Sequence, residues 1–478
     1  MSARVPGEQT MSRYTSATDS DREQMLAEIG ASSVEELFAD VPADLRLPRP
    51  LELEDGLPEN EVYERLRELA ARNADAESEL CFLGGGMYDH YSPAIIDAIT
   101  SRSEFLTPYT PYQPEISQGG LQAMFEFQTA MSELTALPIS SAGLYEGPSS
   151  VASAGYLAIA AAKGKRRRFV TSAGLHPHSR ATLQTYARGY PAEVVEVPLS
   201  GGATDPAALA DALDSETAAV FVQSPNYLGS IEALEPLAEA AHDAGALLVV
   251  SCDPVSLGIL RPPGQAGADV AVGEGQPLGG RLDYGGPSFG FFCAREEHMR
   301  RMPGRIAGET TDVDGRRGFV LALQTREQHI RREKATHNIC TAQALNALGG
   351  MIYLSWLGKR GLVELGELLA RRTDHARRRL SAIPGVEPLH TQPVLREFAI
   401  ELDAPVDRVL ELCAERGIGA GIALGEDYPE HPDGLLVAIT EQRSAADIER
   451  LAVALEDAID VSLQSGSARA EAEGAAAR

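Results

Sequence analysis

The chain has 478 residues, of which 44% are hydrophobic and 6% aromatic, so it is long enough to bury a large core in two or three domains. Asp and Glu number 69 against 42 Lys and Arg, and the formal net charge of −27 argues against binding to nucleic acid or to an anionic membrane. The lysines are four: Lys163, Lys165, Lys334 and Lys359. Few lysines and many acids are typical of halophilic proteins from salt-accumulating archaea, in which dense salt screens the self-repulsion.

Targeting and redox signals point to a reducing compartment. No apolar run approaches the length of a membrane span, and the N-terminal residues have no apolar signal core, so the sequence predicts a cytoplasmic protein. Met11 is an alternative start to Met1. The cysteines never show C-x-x-C spacing, which argues against a structural metal or a disulfide framework: Cys81, Cys252, Cys293, Cys340 and Cys413.

Residues 1–78 are predicted to form an N-terminal helical arm. Ser20 with Glu23, and Ser33 with Glu36, match the capping-box pattern. Gly30 is placed to end the first helix, and a second, charged helix is expected over residues 59–73.

Residues 79–334 alternate between short apolar strands and helices. The helices include 206–213, with Asp205 as N-cap, and 234–244. The expected strands are 168–171, 194–197, 218–223, 246–250, 269–272 and 289–293. This alternation predicts a large α/β domain with a mainly parallel sheet covered on both faces.

Residues 335–462 are predicted to form a small C-terminal α+β domain. A long helical stretch leads to a strand near 395–402, a helix at 406–416, a strand at 435–439 and a final helix from Ser444. Residues 463–478 are of low complexity and are predicted to be disordered.

A proline-rich run near the start of the large domain carries several polar side chains. Gly84, Gly85 and Gly86 allow close backbone approach but do not match a dinucleotide-binding fingerprint. The polar side chains that follow them are Tyr109, Thr110, Tyr112, Gln113 and Glu115. Fixed by three prolines, they could line a polar site or simply form a rigid surface loop, and the pattern leaves both interpretations open.

The segment from Tyr145 to Ser150 lies where such a sheet often cradles a phosphate at a helix N-terminus. Ser149 and Ser150 could bind a phosphate, although Glu146 would repel it, and capping of the helix is the favoured interpretation. His176 and His178 have no third ligand at a fixed spacing, so no metal site is predicted.

Asp253 follows a buried strand, where it could pair with the protonated pyridine nitrogen of pyridoxal phosphate or cap the turn before Pro254. The turn after the next strand, where such a fold normally offers the cofactor lysine, contains Glu274 and Gln276 but no lysine. Lys334 lies on what reads as a charged helix face, and a Schiff-base role for it remains an alternative.

Three long motifs carry a resemblance. They are "FLGGGMYDHYSPAIIDAITSRSEFLTPYTPYQPEISQG" at 82–119, "GEGQPLGG" at 273–280, and "MPGRIAGETTDVDGRRGFVLALQTREQHIRREKATHNICTAQAL" at 302–345. Through them the chain resembles the glycine cleavage system P-protein and, more narrowly, the alpha chains of its two-chain form, glycine dehydrogenase (decarboxylating). The resemblance covers about residues 20–460.

The resemblance implies a type I, aspartate aminotransferase-like fold of pyridoxal phosphate-dependent enzymes. It implies an alpha2beta2 heterotetramer in which the beta subunit binds the cofactor covalently, while the alpha chain binds none covalently and has a degenerate pocket. The complex would decarboxylate glycine, with the cofactor as electron sink, and pass the aminomethyl group to the lipoyl arm of H-protein. The alternatives are a self-sufficient lyase or aminotransferase that uses Lys334, and a purely structural subunit.

The resemblance also implies roles for particular residues. Interface or active-site lining falls on Tyr109, Thr110, Tyr112, Gln113 and Glu115, and the degenerate cofactor pocket on Tyr145, Glu146, Ser149, Ser150, Asp253 and Gln276. The chain departs from the common pattern at Pro148, Ser149, Ser288, Phe289 and His337. Arg180, Arg316 and Arg317 are the candidates for contact with the glycine carboxylate.

Overall fold

The computed structural model describes residues 16–47, 49 and 51–476, with the backbone alone from residue 465 onward. It divides into two compact units, with the boundary between Asn73 and Ala74. The α-helices are α1 (Asp19–Ile29), α2 (Glu59–Ala70), α3 (Ala94–Thr100), α4 (Ser103–Leu106), α5 (Gln118–Thr135), α6 (Gly147–Ala161), α7 (Pro177–Gly189), α8 (Pro206–Ala212), α9 (Leu234–Asp243), α10 (Ala344–Leu380), α11 (Val406–Ala414) and α12 (Ala445–Ala476).

The strands are short, and most belong to two sheets. They are β1 (Leu80–Cys81), β2 (Ile139–Ser140), β3 (Arg168–Ser172), β4 (Glu193–Val197), β5 (Leu199–Ser200), β6 (Ala203–Thr204), β7 (Thr217–Gln223), β8 (Leu247–Ser251), β9 (Val270–Glu274), β10 (Gly290–Ala294), β11 (Ile306–Thr311), β12 (Arg317–Ala322), β13 (Val386–Pro388), β14 (Glu397–Leu402), β15 (Ile418–Gly419), β16 (Ile422–Ala423) and β17 (Gly434–Ala438). The strands and helices predicted from residue 168 onward are confirmed to within about two residues at each predicted end.

The first unit contains α1, α2 and two short 3-10 turns. Its first helix is capped by Thr18 and Asp21, so the predicted box of Ser20 and Glu23 is wrong by two residues. Gly30 ends α1 in the left-handed conformation, with φ of 74°, as predicted. No described residue of this unit is buried, and most of its large apolar side chains are exposed, Leu53 by 78%.

The second unit is built on a seven-stranded sheet in the order β2-β10-β9-β8-β7-β3-β4. All neighbours from β9 to β4 are parallel, and β10 alone runs antiparallel to the strands on both sides of it. Successive residues of the central strands belong to different cores, with Val222 and Val250 on one face and Phe221 and Val249 on the other. Burial of both faces explains why these strands read as continuous apolar runs.

A four-stranded antiparallel sheet, β13-β14-β17-β16, forms the C-terminal part. β1 pairs with β15 in a separate two-stranded parallel sheet, and Phe82 belongs to the same hydrophobic core as residues of β14 and β17. A strand of two residues, Leu80 and Cys81, does not reveal its partner in the sequence, because the partner of a parallel strand lies far away along the chain. The long α10 joins the two parts and is interrupted at Gly358, whose φ is 61°. The backbone of α12 continues as a helix to Ala476, through residues predicted to be disordered.

Candidate functional site

A cavity of about 390 Å³ lies at the carboxyl ends of β7, β8 and β9, where open α/β sheets hold their ligands. Its floor includes Gln223, Asp253 and Glu274 from these strand ends. The N-terminus of α6, the loop at Gly85–Tyr88 and the start of β14 contribute to its walls. The cavity thus draws on both the large sheet and the C-terminal sheet.

Two carboxylates occupy the N-terminus of α6. Glu146 is its N-cap and accepts a hydrogen bond from the Ser149 N–H at 2.9 Å, and the Ser149 hydroxyl donates to the same oxygen. Glu274 accepts from the Gly147 N–H at 3.0 Å and from the Gln276 N–H at 3.0 Å. Burial raises the pKa of Glu274 above its usual range. The helix N–H groups that would bind a phosphate are therefore already satisfied by the chain's own acids.

Asp253 caps its turn, which is one of the two roles predicted for it, and its other carboxylate oxygen lies near an arginine. Its Oδ1 accepts from the Val255 N–H at 3.0 Å, which caps the turn, and its Oδ2 lies 3.5 Å from Nε of Arg396. Arg396 is only 3% exposed, and its guanidinium lies 4.4 Å from the centre of the Tyr88 ring. The carboxylate of Asp253 therefore already pairs with Arg396 of the same chain.

The glycine run at 84–86, which was predicted to allow close backbone approach, brings a loop close to β14. A Cβ on Gly84 would lie 2.1 Å from Oε1 of Glu397 and 2.6 Å from Cβ of Ala438, so a larger residue would displace these neighbours. The Glu397 carboxylate accepts from the Gly85 N–H at 2.6 Å and from the Tyr88 hydroxyl at 2.7 Å. Burial is the main reason that the pKa of Glu397 is raised. These bonds fix the loop as one wall of the cavity.

His176 forms another wall and is the N-cap of α7. Its Nδ1 accepts from the His178 N–H at 3.0 Å, so the neutral ring donates from Nε2 to the Gly85 carbonyl at 2.7 Å. Burial lowers the pKa of His176 to about 4. Among the described residues, no group of three or more His, Cys, Asp or Glu side chains is arranged to hold a metal ion.

The pKa of His176 predicts a loss of stability in mild acid. The unfolded chain binds a proton on this side chain below about pH 6.5, whereas the folded chain binds it only near pH 4, so stability falls as the pH drops between these values. We expect H176N to reduce the loss of unfolding free energy between pH 7 and pH 5 by about 1–2 kcal/mol. Urea denaturation at both pH values measures this, and equal losses in the variant and the native chain would contradict it.

The predicted pocket residues divide into two groups. Tyr145, Glu146 and Asp253 line the cavity. Ser149, Ser150 and Gln276 do not: the Ser150 hydroxyl donates to the Glu146 carbonyl, and the Gln276 amide exchanges hydrogen bonds with the backbone of Tyr88 at 3.0 and 2.9 Å. Gln276 therefore holds the Gly85–Tyr88 wall from behind.

The tyrosine loop lies away from this cavity. Tyr109 is 76% exposed and borders a second, largely apolar cavity of about 450 Å³, which also includes Phe105 and Leu348. Its hydroxyl lies 3.2 Å from the Thr341 hydroxyl. Tyr112 accepts a hydrogen bond from buried Arg305 at 3.2 Å. Thr110, Gln113 and Glu115 line neither cavity.

The basic candidates also lie elsewhere. Arg180 pairs with Glu196 at 2.7 Å, and Arg316 and Arg317 lie at the turn between β11 and β12, where each pairs with an acid of the same hairpin. Lys334 is exposed in a 3-10 turn and does not line the cavity. Among the described residues, the arginine that lines the cavity is Arg396, which is not one of the predicted candidates although "LREFAIEL" places two charges at the start of an apolar strand.

Comparison with known proteins identifies the family. The family model described as glycine cleavage system P-protein matches the sequence over residues 12–455. The chain belongs to the glycine cleavage system P-protein family. Probable glycine dehydrogenase (decarboxylating) subunit 1 of Carboxydothermus hydrogenoformans is 46% identical over 92% of this chain and 98% of its own length. Its counterpart in Bacillus velezensis is 46% identical over 93% of this chain and 99% of its own length.

Comparison with solved structures shows the fold class of this chain. Inhibitor-bound glycine decarboxylase (P-protein) of the glycine cleavage system superposes with a TM-score of 0.85 at 43% identity, over 93% of this chain and 99% of that one. Sphingosine-1-phosphate lyase of Burkholderia pseudomallei superposes at 0.65 and 19% identity, over 91% and 97%, and shows the fold alone. The fold is therefore the predicted type I fold of pyridoxal phosphate-dependent enzymes, an α/β architecture with a mostly parallel large sheet.

The cavity does not fit covalently bound pyridoxal phosphate, although the cofactor belongs to this fold class. Within the described part of the chain, no lysine lines it. Glu146 and Glu274 fill the helix N-terminus that a phosphate would need, and Asp253 already pairs with Arg396. The lysine missing from the sequence motif is thus missing from the folded site as well.

The comparisons and the helices bear on two broader predictions. The relatives described above come from bacteria, so the predicted haloarchaeal origin receives no support from them. Within residues 16–476, no helix combines the length and apolar character needed to cross a membrane.

Proposed function

We propose that this chain is the alpha subunit of a two-chain glycine dehydrogenase (decarboxylating). It combines with a beta subunit as an alpha2beta2 heterotetramer in the cytoplasm. The beta subunit binds pyridoxal phosphate through a lysine, and the complex decarboxylates glycine and passes the aminomethyl group to lipoylated H-protein. The support is the family membership, together with relatives named probable glycine dehydrogenase (decarboxylating) subunit 1 that are 46% identical over nearly their whole length.

One observation argues that the cofactor lysine lies on another chain. The cavity at the strand ends has the position of a type I cofactor site, yet carboxylates rather than a lysine and a phosphate seat occupy it. A family member that retains the fold while lacking this chemistry needs a partner that supplies it.

Exposed apolar surface favours an assembly. In the first unit Leu45, Leu51 and Leu53 are exposed by 73, 67 and 78%. In the second unit Tyr109 and Ile116 of the tyrosine loop are exposed by 76 and 81% beside the apolar second cavity. Such side chains are stabilised when a partner covers them, and we place the loop containing Thr110, Gln113 and Glu115 at the interface with the beta subunit.

Reconstitution from separate chains tests the proposed function. We expect the pure chain to show neither the visible absorbance of lysine-bound pyridoxal phosphate nor release of CO2 from glycine. Mixed with the beta chain and lipoylated H-protein, it should support release of CO2, while the beta chain alone should not. Full decarboxylation by this chain alone would overturn the proposal and favour an enzyme that uses Lys334, which the exposed position of that side chain argues against.

We also propose that the complex works at high salt. The charge of −27 predicts that self-repulsion destabilises the chain in dilute buffer and that salt screens it, because the Debye length falls from about 10 Å at 0.1 M to about 3 Å at 1 M. We expect the Tm to rise by about 10 °C or more between 0.1 and 2 M KCl. Calorimetry in KCl measures this, and a Tm that stays level or falls would contradict it.

A further inference from the structure

The strand-end cavity contains a buried cation without hydrogen-bond partners. Arg396 lines it, and within the described part of the chain its side chain donates no hydrogen bond: Nε and Nη1 are buried and unpartnered. The nearest anion, Oδ2 of Asp253, lies 3.5 Å away, farther than a charge-assisted hydrogen bond. A buried guanidinium with open donors is costly unless a ligand satisfies them, and its planar fork matches a carboxylate.

A second wall of the same cavity is acidic. Glu146 holds Ser149 through Oε1, while its Oε2 accepts no hydrogen bond from the described residues. Glu274 lies beside it, and both of its carboxylate oxygens accept hydrogen bonds from N–H groups of the chain. An open carboxylate oxygen at a cavity wall suits a cation such as an ammonium group.

The balance of charge selects between ligand classes. Four carboxyl groups line the cavity against the one guanidinium of Arg396, so a simple anion adds to an existing excess of acidic groups: Glu146, Asp253, Glu274 and Glu397. A phosphate is disfavoured further, because the helix N–H groups are taken. A zwitterion satisfies the guanidinium and the open carboxylate together, and about 390 Å³ suits a small molecule.

We propose that this cavity is a binding site for a small free amino acid, with its carboxylate on Arg396 and its ammonium group on Glu146. The inference goes beyond the proposed function, because it assigns a ligand to a cavity of the chain that does not carry the cofactor lysine. The site would make the subunit responsive to an amino acid independently of the partner's chemistry.

Binding to the full chain, purified without a beta subunit, tests the site separately from decarboxylation. Each of the twenty protein amino acids is added at 10 mM. Acetate and methylamine, which carry only the carboxylate or only the ammonium group, and pyridoxal phosphate, which carries a phosphate, are the comparison compounds. We expect at least one amino acid to raise the Tm by about 2 °C or more, with acetate, methylamine and pyridoxal phosphate giving smaller shifts. Titration calorimetry then gives its Kd.

Two variants with opposite expected effects identify the carboxylate partner. R396Q should raise the Kd of the amino acid about tenfold or more, because the substitution removes the guanidinium that binds the carboxylate. D253N should lower this Kd about threefold or more, because the substitution removes the anion that competes for Arg396. D253N remains informative if R396Q does not fold. The proposal is overturned if no amino acid shifts the Tm, if pyridoxal phosphate shifts it most, or if D253N leaves the Kd unchanged or raises it.

Discussion

Replacing Gly229 with alanine should destabilise the chain by about 3 kcal/mol or more. Gly229 has φ of 92°, and a Cβ there would lie 2.1 Å from the carbonyl oxygen of Glu397 and 2.7 Å from its carbonyl carbon. These are backbone atoms of β14, so no side chain can rotate away to relieve the clash. The turn that holds Gly229 lies against the start of β14, where Glu397 and the preceding Arg396 line the cavity, so the cavity wall would shift with it.

Gly201 provides a matched control for this substitution. Its φ is also positive, at 60°, but no atom lies within 4 Å of the position of an added Cβ. G201A should therefore cost only the left-handed conformation, about 1 kcal/mol. Urea unfolding followed by circular dichroism compares the two variants, and equal losses for G229A and G201A would show that the close approach to β14 is absent.

Replacing Tyr109 with alanine should reduce turnover of the assembled complex about tenfold or more while leaving the stability of this chain within about 0.5 kcal/mol. The side chain is 76% exposed, so it contributes little to the folded chain, yet it borders an apolar cavity that we place at the interface. CO2 release with saturating H-protein measures turnover, and gel filtration shows whether the complex still forms.

Two further variants make this result interpretable. Y109F keeps the ring and removes the hydroxyl that lies near Thr341, so it separates packing from hydrogen bonding. Y156A removes a tyrosine on α6 that packs against Tyr190 and should leave turnover unchanged. A Y109A complex that assembles and turns over normally would favour a purely structural role for the loop.

The elements of the fold were largely readable from local patterns. The parallel strands stand out because both of their faces are buried. Helix α8 stands out because Asp205 caps it, accepting hydrogen bonds from the Ala207 and Ala208 N–H groups at 2.9 and 3.2 Å. The N-cap of α1 was misplaced because Thr18 with Asp21 and Ser20 with Glu23 are equivalent patterns in the sequence. The pairing of β1 with β15 joins residues more than three hundred positions apart, which no local pattern encodes.

The site was harder to predict because its chemistry depends on such distant contacts. The absence of a lysine after β9 was visible in the sequence, as was Asp253 at a strand end. The partner of Asp253 was not, because Arg396 reaches it from the C-terminal sheet. Gln276 was assigned to the pocket from its place in the motif, whereas its amide is directed to the backbone of Tyr88 behind the wall.

Reduction of the assembled complex with borohydride tests the central claim most directly, because it fixes pyridoxal phosphate to the lysine that holds it. Peptide mass mapping then locates the tag. We expect one tag for each alpha–beta pair, on a lysine of the beta subunit, and none on the four lysines of this chain: Lys163, Lys165, Lys334 and Lys359. A tag on Lys334, or on any of the other three, would contradict the claim that this subunit has lost the cofactor chemistry of its fold.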